Sequence, residues 1–422
     1  MKLADKILKD QFLRRNLIFF VGSMLVAVLN YLYHPILGRM LSIEDFGEVQ
    51  ALISLFLQFG VVFGVFSMLT INIASNTEDK NQKALAIIKM QKIAYLLVFI
   101  NFVLIILFKD KITHALSFDS FYPFVSLALI YLFSVSFTFR KAYLQGAEDF
   151  NAVSVSGIIF SGGRLLFSVA LVIIGWRSFG AITGLLLAQV VSFFYVYWKT
   201  KDDFKLESES KSAGFDKAYI KQELYYAMLV LAANGFITFL YTADVVMVKY
   251  WFTPSEAGLY SGVATIARII FFATGSVAGV MLPAIKMKNS DSENFRMFKK
   301  SFWLVAFVGG SGTLIFSIFP DLIIRLMIGA SYLPYAHFLA RLSFLLFLAS
   351  IVNLLFNYLM ALRRFALIPI SIIGMIAIFA YLAIFGHSIE SIINAYIFGA
   401  ITVFLSFGLE QFRKKLQNHN NQ

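Results

Sequence analysis

The 422-residue chain contains no cysteine. Disulfides, cysteine-ligated metals and thiol catalysis are therefore excluded. Charge is scarce too. Asp, Glu, Lys and Arg make up 14% of residues, against about 25% in a soluble domain. Acids are the scarcer sign, 24 against 36 Lys and Arg, and there are five His. No HExxH motif, no Walker loop and no nucleophile elbow occurs. Gly309-Gly310-Ser311-Gly312 resembles a phosphate loop, but no Lys follows it and it lies in an apolar stretch, so helix packing is its expected role. Neither a metal site nor a bound cofactor is expected.

What the chain has in abundance is apolar sequence, 59% of residues. A membrane span needs about 20 apolar residues. Twelve runs of that kind lie near 17–38, 48–74, 93–108, 121–139, 152–175, 179–198, 222–248, 258–285, 302–319, 336–362, 365–386 and 391–409. The expected fold is an all-α polytopic membrane protein. Lys and Arg fall on alternate connections, 27 on the side carrying both termini and six on the other. The positive-inside rule then places both termini in the cytoplasm of a plasma or inner membrane. This placement accounts for the net charge of +12, so the charge is not a nucleic-acid signal. The first run is too long for a signal-peptide core and reads as a retained helix. Before it, Leu3, Ile7, Leu8 and Phe12 share one helical face, which fits either a short interfacial helix or a frayed polar terminus. The longest outer connection, near 109–120, leaves no room for an outer catalytic domain.

The chain also repeats. Leu41–Gly47 (LSIEDFG) aligns with Phe252–Gly258 (FTPSEAG) at an offset of 211, and Tyr143-Leu144 aligns with Tyr358-Leu359 at 215. Gly60/Gly64 and Gly275/Gly279 also match at 215. The expected organisation is a six-helix lobe over 1–198, a charged cytoplasmic linker over 199–221 and a second six-helix lobe over 222–422. Six spans per half give the two halves the same orientation, a parallel repeat of the kind found in transporters. The paired glycines, and Gly180/Gly184, are expected to mark close helix packing.

Ionisable groups inside spans are costly and usually face a cavity. Arg164 and Arg268 fall near the middle of the fifth and eighth runs, one in each half. Guanidinium groups bind phosphate through paired donors and stay charged, so the two form a candidate site for an anionic substrate. The alternative is that each packs against carbonyls or a carboxylate. Asp244 and Arg341 are expected at similar depth near the outer ends of their spans, either as a candidate gate or coupling pair or as unrelated interfacial charges. His34, beside Pro35, is a candidate proton relay or a satisfied interfacial histidine. With no ATPase motif, uphill work would draw on H+, Na+ or the substrate's own gradient.

Gly38–Glu48 (GRMLSIEDFGE) resembles the signature after the first helix of bacterial polysaccharide-unit flippases, in the multidrug/oligosaccharidyl-lipid/polysaccharide exporter superfamily. Asp244–Tyr260 (DVVMVKYWFTPSEAGLY) resembles its second-half counterpart, and Tyr143–Gly146, Arg164 and Gly180-Ala181 are similar to further family features. The resemblance implies a flippase that moves an undecaprenyl-pyrophosphate-linked oligosaccharide (an O-antigen, capsule or exopolysaccharide unit) to the outer leaflet. Arg164 and Arg268 would belong to its cationic cavity. Membrane lipids and glycan-assembly proteins would be its partners. Lipid II flippases of this superfamily usually have fourteen spans, and its drug exporters often carry an acid in the first helix. This chain shares neither feature. A cation-coupled small-molecule exporter of the same fold stays open as a second reading, and a membrane-embedded glycan polymerase or ligase as a third.

Overall fold

The computed structural model describes the backbone of residues 11–205, 217–285, 290–364 and 366–420. Among them no strand occurs. The first half contains α1 (Gln11–Met40), α2 (Ile43–Asn76), α3 (Lys80–Leu107), a short α4 (Lys109–Ala115), α5 (Tyr122–Gly146), α6 (Phe150–Ile173) and α7 (Arg177–Thr200). The second contains α8 (Lys217–Trp251), α9 (Pro254–Ala284), α10 (Asp291–Ile318), a short α11 (Pro320–Met327), a 3-10 segment (Ala330–Phe338) running into α12 (Leu339–Ala361), α13 (Leu367–Phe385) and α14 (Ile389–Asn420). Twelve of these segments are long and apolar enough to cross a membrane. Helices suit that setting because each satisfies its own backbone hydrogen bonds where water is absent. The proposed N-terminal interfacial helix and the centre of the 199–221 linker lie outside the described residues.

All twelve expected spans are helical, but two begin well before their apolar runs. α3 starts at Lys80 because the Asp79 carboxylate accepts from the amides of Asn81 and Gln82. The lysine-rich turns that follow bury Ala84, Ala86 and Ile87 on one face. α10 starts at Asp291 behind a reciprocal cap between Ser290 and Glu293. Such caps satisfy the orphan amides of a first helical turn, and a search for apolar residues alone passes over them.

The chain divides into two compact units, residues 1–52 with 62–221, and residues 53–61 with 222–422. The repeat is visible within them. In the first, α5 packs on α7, α6 on α7 and α3 on α5; in the second, α12 packs on α14, α13 on α14 and α10 on α12. These are equivalent pairs of the two sets of six spans. In each half the third span is also followed by a short helix, α4 or α11.

Glycine explains the closest packing. A Cβ on Gly184 would collide with the backbone nitrogen of Ser168, and one on Gly180 would press on Leu171. The Ser168 hydroxyl donates to the Ala181 carbonyl at 2.7 Å across the same seam. Gly309 lies against Phe347 and Gly312 against Ile270, in keeping with packing rather than phosphate binding. Gly60, Gly64 and Gly275 differ from expectation, since nothing lies within 4 Å of where their Cβ atoms would stand. Spacing alone shows a smooth helix face, and these faces are open. The side of Gly279 lies outside the described residues.

Candidate functional site

Within the first unit, Arg164 sits mid-way along α6, seven residues after Gly157. Both residues therefore face α1: Gly157 meets Val26, and Arg164 meets the turns above it. Its Nη2 donates to the Asn30 carbonyl at 3.1 Å, and its guanidinium lies 4.0 Å from the centroid of the Tyr33 ring. Tyr33 is fully buried. Arg164 Nε is buried with no hydrogen-bond partner, and no carboxylate pairs with the guanidinium among the described residues. A stacked, half-satisfied guanidinium keeps donors in reserve at a depth where an unmet charge is costly.

Within the second unit, Arg268 points back along α9, as side chains on a helix do. It approaches Asp244 of α8, with Nη2 3.6 Å from Oδ1. The pair is buried, its side chains 6% and 3% exposed. The separation is too long for a hydrogen bond. Asp244 Oδ1 and Arg268 Nε and Nη2 accordingly have no hydrogen-bond partner. Asp244 Oδ2 is held instead by the Tyr260 hydroxyl at 2.8 Å. Tyr260 lies eight residues before Arg268, two turns along the same face of α9. Beside the pair, Tyr241 stacks on Phe271 at 4.6 Å and meets Phe272 at 5.9 Å. Phe272 is 60% exposed. These rings were not singled out in the sequence, where 47 Phe and 19 Tyr hide them.

Of the two readings of Asp244 and Arg341, the gate pair does not form in this structure. Arg341 Nη1 lies 2.9 Å from Glu390 Oε1, because α12 packs on α14 and both residues stand near helix starts. Similar depth says nothing about which way a side chain faces, and Asp244 faces α9. The same limit hid the Arg268–Asp244 contact, since distance from a helix end ignores the reach of an arginine. His34 Nδ1 lies 3.0 Å from Gln50 Nε2, and its ring packs edge-on to Tyr33. It thus ties α1 to α2.

The two signature segments build local structure. Ser42 caps α2 by accepting from the Asp45 amide, and Arg177 Nε binds Asp45 Oδ2 at 2.9 Å. Glu48, one turn on, accepts from the Ser178 hydroxyl at 2.5 Å and the Asp119 amide at 3.3 Å. Arg177 is one of the six basic residues that the sequence places on the side opposite the termini. In the second half, Thr253 and Glu256 form a reciprocal cap on α9, and the segment's first and last residues, Asp244 and Tyr260, are the hydrogen-bonded pair described above.

Paired six-span units, each with an arginine buried among its helices, define a multi-pass membrane protein with the fold of the multidrug/oligosaccharidyl-lipid/polysaccharide exporter superfamily. The chain belongs to the polysaccharide biosynthesis protein family, whose sequence model matches residues 12–288. Three solved structures illustrate the likeness. An inward-facing multidrug resistance MATE family transporter of that superfamily aligns with a TM-score of 0.72 at 11% identity, over 94% of this chain and 96% of its own. The lipid II flippase MurJ, in an inward closed conformation, aligns with a TM-score of 0.69 at 15% identity, over 93% of this chain and 87% of its own. An outward-facing MATE family transporter aligns with a TM-score of 0.59 at 14% identity, over 96% of both chains. At such identities the likeness concerns the fold. No curated protein sequence matches the chain.

Proposed function

We propose that the protein is a flippase for a polyprenyl-pyrophosphate-linked oligosaccharide, working by alternating access in a bacterial inner membrane, with Arg164 and Arg268 as its phosphate-binding residues. The halves of the transport cycle would be the lobes 1–198 and 222–422, joined by a cytoplasmic linker, with both termini cytoplasmic. The observation that carries the reading is one buried arginine per unit with guanidinium donors, Arg164 Nε and Arg268 Nε and Nη2, that make no hydrogen bond among the described residues. Buried polar groups are normally satisfied. Idle donors on two permanently charged side chains fit an anion that arrives from outside the protein. The exposed Phe272 beside Arg268 offers an apolar face to a sugar ring or a lipid chain. The family description, polysaccharide biosynthesis, supports the substrate class.

The test is surface glycan in a flippase-null host carrying the cognate synthesis genes. Arg164→Ala and Arg268→Ala should each abolish glycan export at normal membrane abundance. Arg→Lys at either position should retain part of it, because charge survives while the forked geometry is lost. Full export by the double alanine variant would show that the arginines only pack helices. A cation-coupled exporter of small molecules is the second reading, favoured by the buried carboxylate of Asp244. It would show as ion-gradient-driven efflux with no effect on glycan.

A further inference from the structure

We propose that Asp244 is a resident counter-ion for Arg268, which the phosphate of the arriving substrate displaces. The proposal rests on the flippase reading and adds a third residue to its site.

The geometry is that of a pair held close but not closed. An arginine and a carboxylate that serve only stability dock through short, parallel hydrogen bonds. Here the nearest contact is 3.6 Å, and Arg268 Nε, Arg268 Nη2 and Asp244 Oδ1 stay unbonded. Burying two charges costs several kcal/mol per ion, and good geometry is what offsets that cost. This pair forgoes the geometry while keeping the burial. What fixes the carboxylate is the Tyr260 hydroxyl on Oδ2, not the guanidinium. Asp244 therefore neutralises Arg268 while leaving its donors free for another acceptor.

The same helix face is exposed further along. Phe272 and Gly275 follow Arg268 by four and seven residues on the same face of α9. Phe272 is exposed, and open space lies beside Gly275. A phosphate reaching Arg268 along this face would find a cation already set at depth but masked by a single negative charge. Binding must then overcome the Asp244 attraction, and release is helped by its return. The displaced carboxylate keeps its Tyr260 hydrogen bond. The polar groups that act on it are Tyr260 and Arg268 on α9 and Tyr396 on α14. Arg268 is the one cation that pairs with it among the described residues.

The experiment measures binding of geranylgeranyl pyrophosphate to the full chain in nanodiscs. Wild-type binding should depend on Arg268. Asp244→Asn should bind about tenfold more tightly than wild type, because the competing charge is gone. In the glycan assay the same variant should export more slowly, because release loses its competitor. Should Asp244→Asn fail to accumulate, Tyr260→Phe keeps both charges and frees the carboxylate from its anchor. It should tighten binding in the same direction by a smaller factor. Arg268-dependent binding that Asp244→Asn leaves unchanged or weakens overturns the counter-ion role alone. Absence of wild-type binding, or binding indifferent to Arg268→Ala, overturns both this role and the flippase reading.

Discussion

Arg177 and Asp45 join the first turns of two helices across 132 residues of sequence, with Nε 2.9 Å from Oδ2. Asp45 is buried and Arg177 is mostly exposed, its side chain 61% accessible. The Arg177 backbone adopts a φ of 48° just after Gly175 at 96°, a left-handed conformation that a residue with a Cβ tolerates poorly. Two opposed effects follow. Losing the ion pair should cost about 1 kcal/mol or less, since water screens one partner. Glycine at 177 should recover part of that loss by relieving the backbone. Arg177→Ala should therefore lower the thermal midpoint in detergent more than Arg177→Gly does. The reverse order would mean that the turn carries no strain.

Glycines of equal spacing should differ in their tolerance of a methyl group. Gly184→Ala forces a Cβ into the backbone of Ser168, so α6 and α7 must separate. A cost of about 1–3 kcal/mol is expected for such overpacking. Gly64→Ala meets nothing and should be neutral, or stabilise by up to about 1 kcal/mol through helix propensity. Thermal melts of the two variants check the contrast, and equal losses at both positions would contradict it.

The twelve spans, the repeat and the arginines half-way along their helices can be read in the sequence because the bilayer imposes a length and a polarity that local composition records directly. Contacts between helices leave no such record. Asp244 and Arg341 looked like partners because depth is a one-dimensional quantity, whereas pairing depends on rotation about each helix axis. The Tyr260–Asp244 bond was nearer to hand, since both residues close the ends of one recognisable segment. The aromatic group of Tyr241, Phe271 and Phe272 has no pattern that separates it from lipid-facing rings. Gly60 and Gly184 share a spacing motif yet face open space and a neighbouring backbone respectively, and only the packed structure tells them apart.

The absence of cysteine makes membrane orientation directly measurable, because single-cysteine variants carry no background label. Ser120→Cys lies between α4 and α5, on the side where six basic residues fall, and Lys201→Cys follows α7 on the side with 27. In intact cells a membrane-impermeant maleimide should label Ser120→Cys and spare Lys201→Cys, which should react after permeabilisation. The opposite pattern would invert the proposed topology and with it the direction of transport.

Three double-mutant cycles can separate the ion pairs of the second unit, with unfolding free energies taken from denaturant titrations in mixed micelles. Asp244→Asn with Arg268→Gln should be strongly non-additive, by about 1–3 kcal/mol, because the pair is buried and either single change leaves an uncompensated charge among the helices. Arg341→Gln with Glu390→Gln should couple by about 0.2–1 kcal/mol. That contact is shorter, at 2.9 Å, but its side chains are 49% and 57% exposed, and solvent screens it. Asp244→Asn with Arg341→Gln should be additive within about 0.5 kcal/mol, since each residue has a different partner. A large coupling in this third cycle would mean that the two residues meet at another stage of transport, as an outer gate would require. Coupling confined to the first two cycles would leave Arg341 a clasp between the starts of α12 and α14, and Asp244 a residue whose effect runs through Arg268.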